Sequence, residues 1–305
     1  MGTPEAAVPS LRRLLTDGHD VLAVWTQPDR PSGRGNKLHQ SPVKEFAVAH
    51  NLPVHQPLKI KTEEAKDLFA SYSADAAIVV AYGRILPPEF LTAQPYGCIN
   101  VHFSLLPKYR GAAPVNWAIV NGESETGVTT MRIVSELDAG PILLQHATPI
   151  GDQESAPELM KRLAEVGADL LSDTLKDLKN LKPKSQRAED ATLAPILKRE
   201  DGLIDWTMDA RSIEQRVRGF QPWPNAHTTL HSRRLIIRQA LVEATQSPSG
   251  EAGEVIEAHG DRLLVACGNE SALRILELQP EDSRRMNARD FLNGAHLRSG
   301  DQLGE

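Results

Sequence analysis

Three residues of this chain have types and spacings that could do proton chemistry at one place. Asn100 and His102 stand two apart in the run Cys98-Ile99-Asn100-Val101-His102-Phe103-Ser104-Leu105-Leu106-Pro107. If that run opens as a strand, its alternation turns both side chains to one face. The carboxamide could donate a hydrogen bond to a developing oxyanion, and the imidazole could hold or move a proton. Further on, Glu136-Leu137-Asp138-Ala139-Gly140-Pro141 places a carboxylate, Asp138, on a turn. Set near the imidazole, it would orient the ring and favour its protonated form. Acyl transfer suits such a trio. Taken singly, each residue has a plainer use: a strand-end histidine as a structural hydrogen-bonder, an aspartate before Ala-Gly-Pro as a turn former.

Other chemistries lack their residues. No G-x-G-x-x-G or G-x-x-x-x-G-K-[ST] occurs, which removes the main support for dinucleotide or nucleoside-triphosphate binding. There is no G-x-S-x-G elbow. The ten histidines show no metal-ligand spacing, and the two cysteines, Cys98 and Cys267, form no CxxC, so no metal site is expected. That cysteine usage and the lack of a basic-then-apolar leader imply a reducing cytoplasm. No apolar run approaches the roughly 20 residues of a membrane span. With 34 basic and 40 acidic residues the net charge is −6, unlike a general nucleic-acid binder. Two basic patches stand out against it: Arg30, Arg34, Lys37 and Lys44, and the stretch from Lys176 to Arg199. Either they are solvated surface, or they meet a polyanion.

The elements that must position the trio follow from periodicity. Strands are expected at Val21–Trp25, Asp75–Tyr82, Gly97–His102, Gly127–Val134 and Ile142–Ile150. Helices are expected after Thr3-Pro4 and Ser41-Pro42, over Ala113–Val120, and after the capping box of Ser155 and Glu158. Alternating strands and helices predict a mainly parallel, doubly wound sheet over residues 1–181. Met1-Gly2-Thr3-Pro4 leads straight into a helix, so the first strand of such a domain is expected to be missing. Residues 182–201 are polar and without period, and read as a basic linker. Five short strand signals between Ala226 and Leu278 then predict a small barrel over 202–305.

Asn100, His102, Ser104, Leu105, Leu106, Pro107, then Arg110-Gly111, then Leu137-Asp138 and Gly140, resemble the hallmark of the formyltetrahydrofolate-dependent formyltransferase superfamily. The resemblance covers essentially the whole chain, through Gly2-Thr3-Pro4, the loop Thr26 to Gly35, Ser41 to Lys44, Ala81 to Pro87, Ile204-Asp205-Trp206 and Pro222-Trp223-Pro224. It implies a Rossmann-like catalytic domain, a linker and an OB-like barrel. It is nearest the branch that formylates methionyl initiator tRNA.

By that resemblance, Asn100 would donate to the oxyanion, His102 would stabilise it and help protonate N10 of the folate, and Asp138 would pair with His102. The co-substrate is 10-formyltetrahydrofolate. The loop Ser104, Leu105, Leu106, Pro107 would shape its site, and the main chain of Arg84, Ile85 and Leu86 would meet the pterin. Arg34, with Arg30 and Lys37, would approach the tRNA acceptor end, and the barrel would track phosphates. A monomer is expected. Phe103 stands where many relatives carry a small residue, so a narrower or rearranged folate mouth is expected. The alternatives are a small-substrate formyltransferase acting on an amino sugar nucleotide or glycinamide ribonucleotide, a formyltetrahydrofolate hydrolase, and a non-catalytic tRNA-binding protein.

Overall fold

Short apolar runs and capped helices set the order of elements. Ser41 and Thr62 each accept a hydrogen bond from the backbone N–H three residues on (Lys44 and Ala65), starting two helices, and Pro42 follows Ser41 at the first helical position. A computed structural model of the chain describes residues 1–32, 37–244 and 250–305. In order come α1 (Val8–Thr16), β1 (Val24–Trp25), β2 (Arg30–Ser32), β3 (Lys37–His39), α2 (Pro42–Ala49), β4 (Val54–His55), α3 (Glu63–Ser71), β5 (Ala77–Val79), α4 (Pro88–Thr92), β6 (Cys98–His102), β7 (Arg110–Gly111) and α5 (Pro114–Val120). Then follow β8 (Glu125–Arg132), β9 (Ile142–Pro149), α6 (Ala156–Lys176), β10 (Leu193–Ala194), α7 (Ala210–Gly219), β11 (His227–Leu230), β12 (Arg233–Glu243), β13 (Val255–His259), β14 (Arg262–Cys267), β15 (Ser271–Pro280), β16 (Met286–Asn287) and α8 (Ala288–Ala295).

The chain divides into two units. One holds residues 1–114, 125–149 and 160–194; the other holds 115–124, 150–159 and 195–305. In the first, β5 and β6 are parallel, but β8 pairs antiparallel with β6, and β9 antiparallel with β8. β1 and β4 form a separate parallel pair. The sheet is therefore mixed rather than mainly parallel, because β9 follows β8 through a connection too short for a crossover. Trp25 stands edge-on to Phe69 and Phe90, which stack on each other at 4.0 Å between centroids. With Tyr82, Val79 and Cys98 they form the core beneath β5 and β6.

The expected linker is not one over its first half. Lys184 exchanges both backbone hydrogen bonds with Ile142, and β10 pairs parallel with β7. Residues 182–194 thus belong to the first unit, held by backbone pairing that carries no side-chain pattern.

In the second unit the expected strands all form, antiparallel in the order β11-β12-β15-β14-β13, with β16 beside β15. Among the described residues β11 and β13 do not pair, so this is an open sheet and not a closed barrel. Register shifts at Ile237, Gln239 and Ala240 bend β12. Ile213 and Val217 of α7 and Phe291 of α8 pack with the sheet residues Ile237, Leu263 and Ile275. No described helix is long and apolar enough to cross a membrane.

Phe90 is fully buried among aromatic partners. Truncating it, Phe90→Ala, is expected to cost about 3–5 kcal/mol of unfolding free energy in urea titration, the range for a large core cavity. A loss below about 1 kcal/mol would mean the aromatic cluster is not what holds these strands.

Candidate active site

β6 delivers the first two residues. Ile99 and Val101 are buried on one face, and Asn100 and His102 occupy the other. Phe103 falls on the same side as Val101: a Cβ placed on Gly167 of α6 would lie 2.9 Å from Val101 and 3.5 Å from the Phe103 ring. Phe103 therefore packs beneath α6, away from His102, and does not narrow the mouth of the site. The Asn100 carboxamide has no hydrogen-bond partner among the described residues and is free to donate.

His102 is buried, and its ring is fixed from one side. Nε2 lies 2.9 Å from the Tyr109 carbonyl oxygen. A carbonyl only accepts, so the neutral ring carries its proton on Nε2 and leaves Nδ1 as a lone pair. Tyr109 turns its carbonyl inward from a left-handed backbone position, φ 62°. Nδ1 faces Oδ2 of Asp138 at 3.7 Å. Burial lowers the His102 pKa below its ordinary value; the Asp138 charge and the Tyr109 carbonyl raise it back in part. At neutral pH the ring is therefore uncharged, and a proton arriving at Nδ1 meets a carboxylate.

The Asp138 turn is braced by residues distant in sequence. Asp138 sits at φ 47°, and its Oδ2 accepts from the Gly111 N–H at 2.8 Å. Gln186 donates from Nε2 to the carbonyls of Asp138 and Gly140, both at 2.8 Å. Its Oε1 accepts from Nε and Nη2 of Arg110 at 3.0 and 2.8 Å. Both motif glycines have a steric reason. Gly111 adopts φ 124° against Ala194, and a Cβ on Gly140 would lie 1.7 Å from the Arg132 carbonyl oxygen. Gln186 carries no sequence signal; it lies in the stretch read as linker, and only the return of the chain along β7 brings it in.

The loop after β6 is held from within. Ser104 is fully buried and donates to the Lys108 carbonyl at 2.6 Å. The Thr129 hydroxyl donates to the Ser104 carbonyl and accepts from the Leu106 N–H, while Gln145 donates to the Leu106 carbonyl. Leu106 is buried as well, whereas Leu105 and Pro107 are half-buried. Arg84 donates to Gln27 Oε1 at 3.2 Å and to the Leu58 carbonyl at 2.9 Å. Leu86 is buried, but Ile85 is 76% exposed and Leu137, next to Asp138, 61%. Of the residues expected to meet tRNA, Arg30 is exposed, with a long 3.4 Å contact to Gln27. Arg34 and the Lys37 side chain lie outside the described residues. Lys44 is neutralised by Asp29 at 2.5 Å.

A buried imidazole with one nitrogen free, facing a carboxylate and sharing a strand face with an open carboxamide, is equipped for acyl transfer to an amine. Residues 1–175 match the family described as Formyl transferase, and residues 196–296 the Formyl transferase, C-terminal domain. The chain is 46% identical to a curated methionyl-tRNA formyltransferase of Geobacter sulfurreducens, covering 100% of this chain and 96% of that one. It is 50% identical to that of Koribacter versatilis, over 99% and 97%. A solved sugar 3N-formyl transferase, WlaRD, shares the fold with a TM-score of 0.67 at 19% identity, over 93% of this chain and 97% of that one. These matches define a formyl transferase on a mixed α/β fold. The chain belongs to the methionyl-tRNA formyltransferase family.

Two outcomes follow from this geometry. With neutral His102 as the working form, kcat/KM falls as pH drops through the lowered His102 pKa. Asp138→Asn removes the charge that raises that pKa, so the acid limb is expected to move to lower pH while kcat falls; a limb that moves upward would contradict the pairing. Gln186→Ala is expected to lower kcat about tenfold, with an unchanged urea midpoint, by loosening the turn that aims Asp138. Unchanged kcat would show that the turn holds without it.

Proposed function

We propose that this chain transfers the formyl group of 10-formyltetrahydrofolate to the α-amino group of methionyl initiator tRNA. The observation that carries the reading is the full-length likeness, across both family domains, to proteins named methionyl-tRNA formyltransferase. The loop from Gln27 to Gly35 supports it over an amino sugar nucleotide or another small acceptor, which needs no basic insertion there.

In this reading Asn100, His102 and Asp138 are the catalytic residues. The attacking amine forms a bond to the formyl carbon, and the carbonyl oxygen takes on negative charge that Asn100 meets with its amide N–H. The amine must lose a proton and N10 of the folate must gain one as the C–N10 bond breaks. Nδ1 of His102 is the nitrogen placed to carry it, because Nε2 is committed to Tyr109. Asp138 stabilises the imidazolium between the two transfers. Ser104, Leu105, Leu106 and Pro107 shape the folate side through the position of their loop. Arg84, Ile85 and Leu86 present main chain and the exposed Ile85 side chain to a flat heterocycle.

In this scheme residues 1–181, with 182–194 paired back onto them, form the Rossmann-like catalytic part, 195–201 the connection, and 202–305 an OB-like part that tracks the acceptor stem. Arg30, Arg34 and Lys37 serve the acceptor end. In the second unit, Arg238 is held by Asn225 and Gln279, and Arg285 is paired with Glu277. A cytoplasmic monomer fits this role.

His102→Ala is expected to lower kcat for initiator-tRNA formylation by about 10²–10⁴ with a small change in KM; full retained activity would remove His102 from the mechanism. Raising KCl from about 50 to 200 mM is expected to raise KM for the tRNA about tenfold or more and leave KM for the folate nearly unchanged. Efficient transfer to an amino sugar nucleotide, with none to methionyl initiator tRNA, would replace this reading with the small-substrate one.

A further inference from the structure

One carboxamide of the first unit reaches two loops with different uses. Nε2 of Gln27 donates to the carbonyls of Tyr82 and Gly83, both at 3.1 Å. Its Oε1 accepts from Nε of Arg84 at 3.2 Å and, more loosely, from Nη2 of Arg30 at 3.4 Å. A carboxamide has two N–H donors and two acceptor lone pairs, and all four are used here. Carbonyls, which only accept, face the nitrogen, and guanidinium groups, which only donate, face the oxygen. These partners fix the orientation of the amide, because a turned amide would set donor against donor and acceptor against acceptor.

The main chain of Gln27 is held as well. Nε2 of Gln56 donates to the Gln27 carbonyl at 2.8 Å and to Oδ1 of Asp29 at 2.7 Å. Oδ2 of Asp29 accepts from Nζ of Lys44 at 2.5 Å. Lys44, and then Gln56, hold the Asp29 carboxyl below the ordinary carboxylate range. Asp29 directly precedes β2, and Lys44 lies in α2, soon after β3. The pair therefore closes the base of the β2–β3 hairpin, where Arg30 is paired with His39. At the other end, the two gripped carbonyls lead straight into Arg84, Ile85 and Leu86. Arg84 is held a second time by the Leu58 carbonyl at 2.9 Å.

We infer that Gln27 is a positioning residue that couples the folate side of the site to the tRNA side. Its side chain fixes the backbone that enters Arg84–Leu86, and its main chain, through Gln56 and Asp29, fixes the hairpin that carries Arg30. A ligand that orders one end has already restrained the other, so the second ligand loses less freedom on binding. The effect is reciprocal between the two ligands. The inference rests on the folate and tRNA sites read above.

Gln27→Ala and Gln27→Glu test it in two arms. The alanine removes every side-chain contact, while the glutamate keeps an acceptor for the two arginines and loses the donor to both carbonyls. The first arm needs no tRNA. Saturating 5-formyltetrahydrofolate is expected to slow amide exchange at Arg30 and His39 at least about threefold in the unaltered chain, and in neither variant. Equal slowing in all three chains, or none in the unaltered one, would overturn the inference.

The second arm is formyl transfer. Both variants are expected to raise KM for the folate and for methionyl initiator tRNA together, by about three- to tenfold, with kcat changed less than about twofold. A variant that is merely less folded lowers the active fraction, and so the apparent kcat, and leaves both KM values alone. A rise confined to one substrate, or a fall in kcat with both KM values unchanged, would overturn the coupling. Failure of the unaltered chain to formylate methionyl initiator tRNA would instead overturn the proposed function, and the first arm, run with folate alone, would still decide whether Gln27 links the two loops.

Discussion

The hydrogen bond between Nε2 of His102 and the Tyr109 carbonyl governs the chemistry of this site. It makes one ring nitrogen a permanent donor and leaves the other as the only place where a proton can arrive. Burial favours the neutral ring, and in the proposed mechanism Asp138, facing Nδ1, would make a transient charge tolerable. The same buried imidazole without the carbonyl could carry its proton on Nδ1, toward Asp138, and so present a donor where an acceptor is needed. Tyr109 can turn its carbonyl inward because the loop after β6 is tied down, at Tyr109 itself by Thr192 and upstream by Thr129 and Gln145.

Precision at Asp138 comes from a second chain of contacts. Arg110 holds Gln186, Gln186 holds the two carbonyls flanking Ala139, and Gly111 holds the carboxylate itself. Arg110 and Gly111 thus help to set the place of Asp138. Gly140 admits the close passage of the turn past Arg132. The segment 182–194, an unremarkable polar tract in sequence, supplies both Gln186 and the strand β10 that registers Gly111.

The legible part of this architecture is local. The two-residue spacing of Asn100 and His102, the capped helices and the strands of the second unit are set by alternation and by neighbours a few residues away, so periodicity finds them. The bracing role of Gln186 and the open path from β11 to β13 depend on chain segments tens of residues apart. No pattern in a single sequence encodes which carbonyl a distant glutamine will reach. Lys44 makes the same point: it reads as part of a basic patch until Asp29 is found against it.

Because the account rests on the protonation state of one ring, the ring nitrogens of His102 are where to measure. Nitrogen-15 NMR of histidine-labelled protein across pH 5 to 8, with His102→Gln to assign the signal, reads both nitrogens separately. The account predicts a protonated Nε2 and a lone-pair Nδ1 at pH 7, with charging only below the ordinary histidine range (about 6.5). A ring protonated at Nδ1 and bare at Nε2, or an imidazolium still present at pH 7, would contradict it.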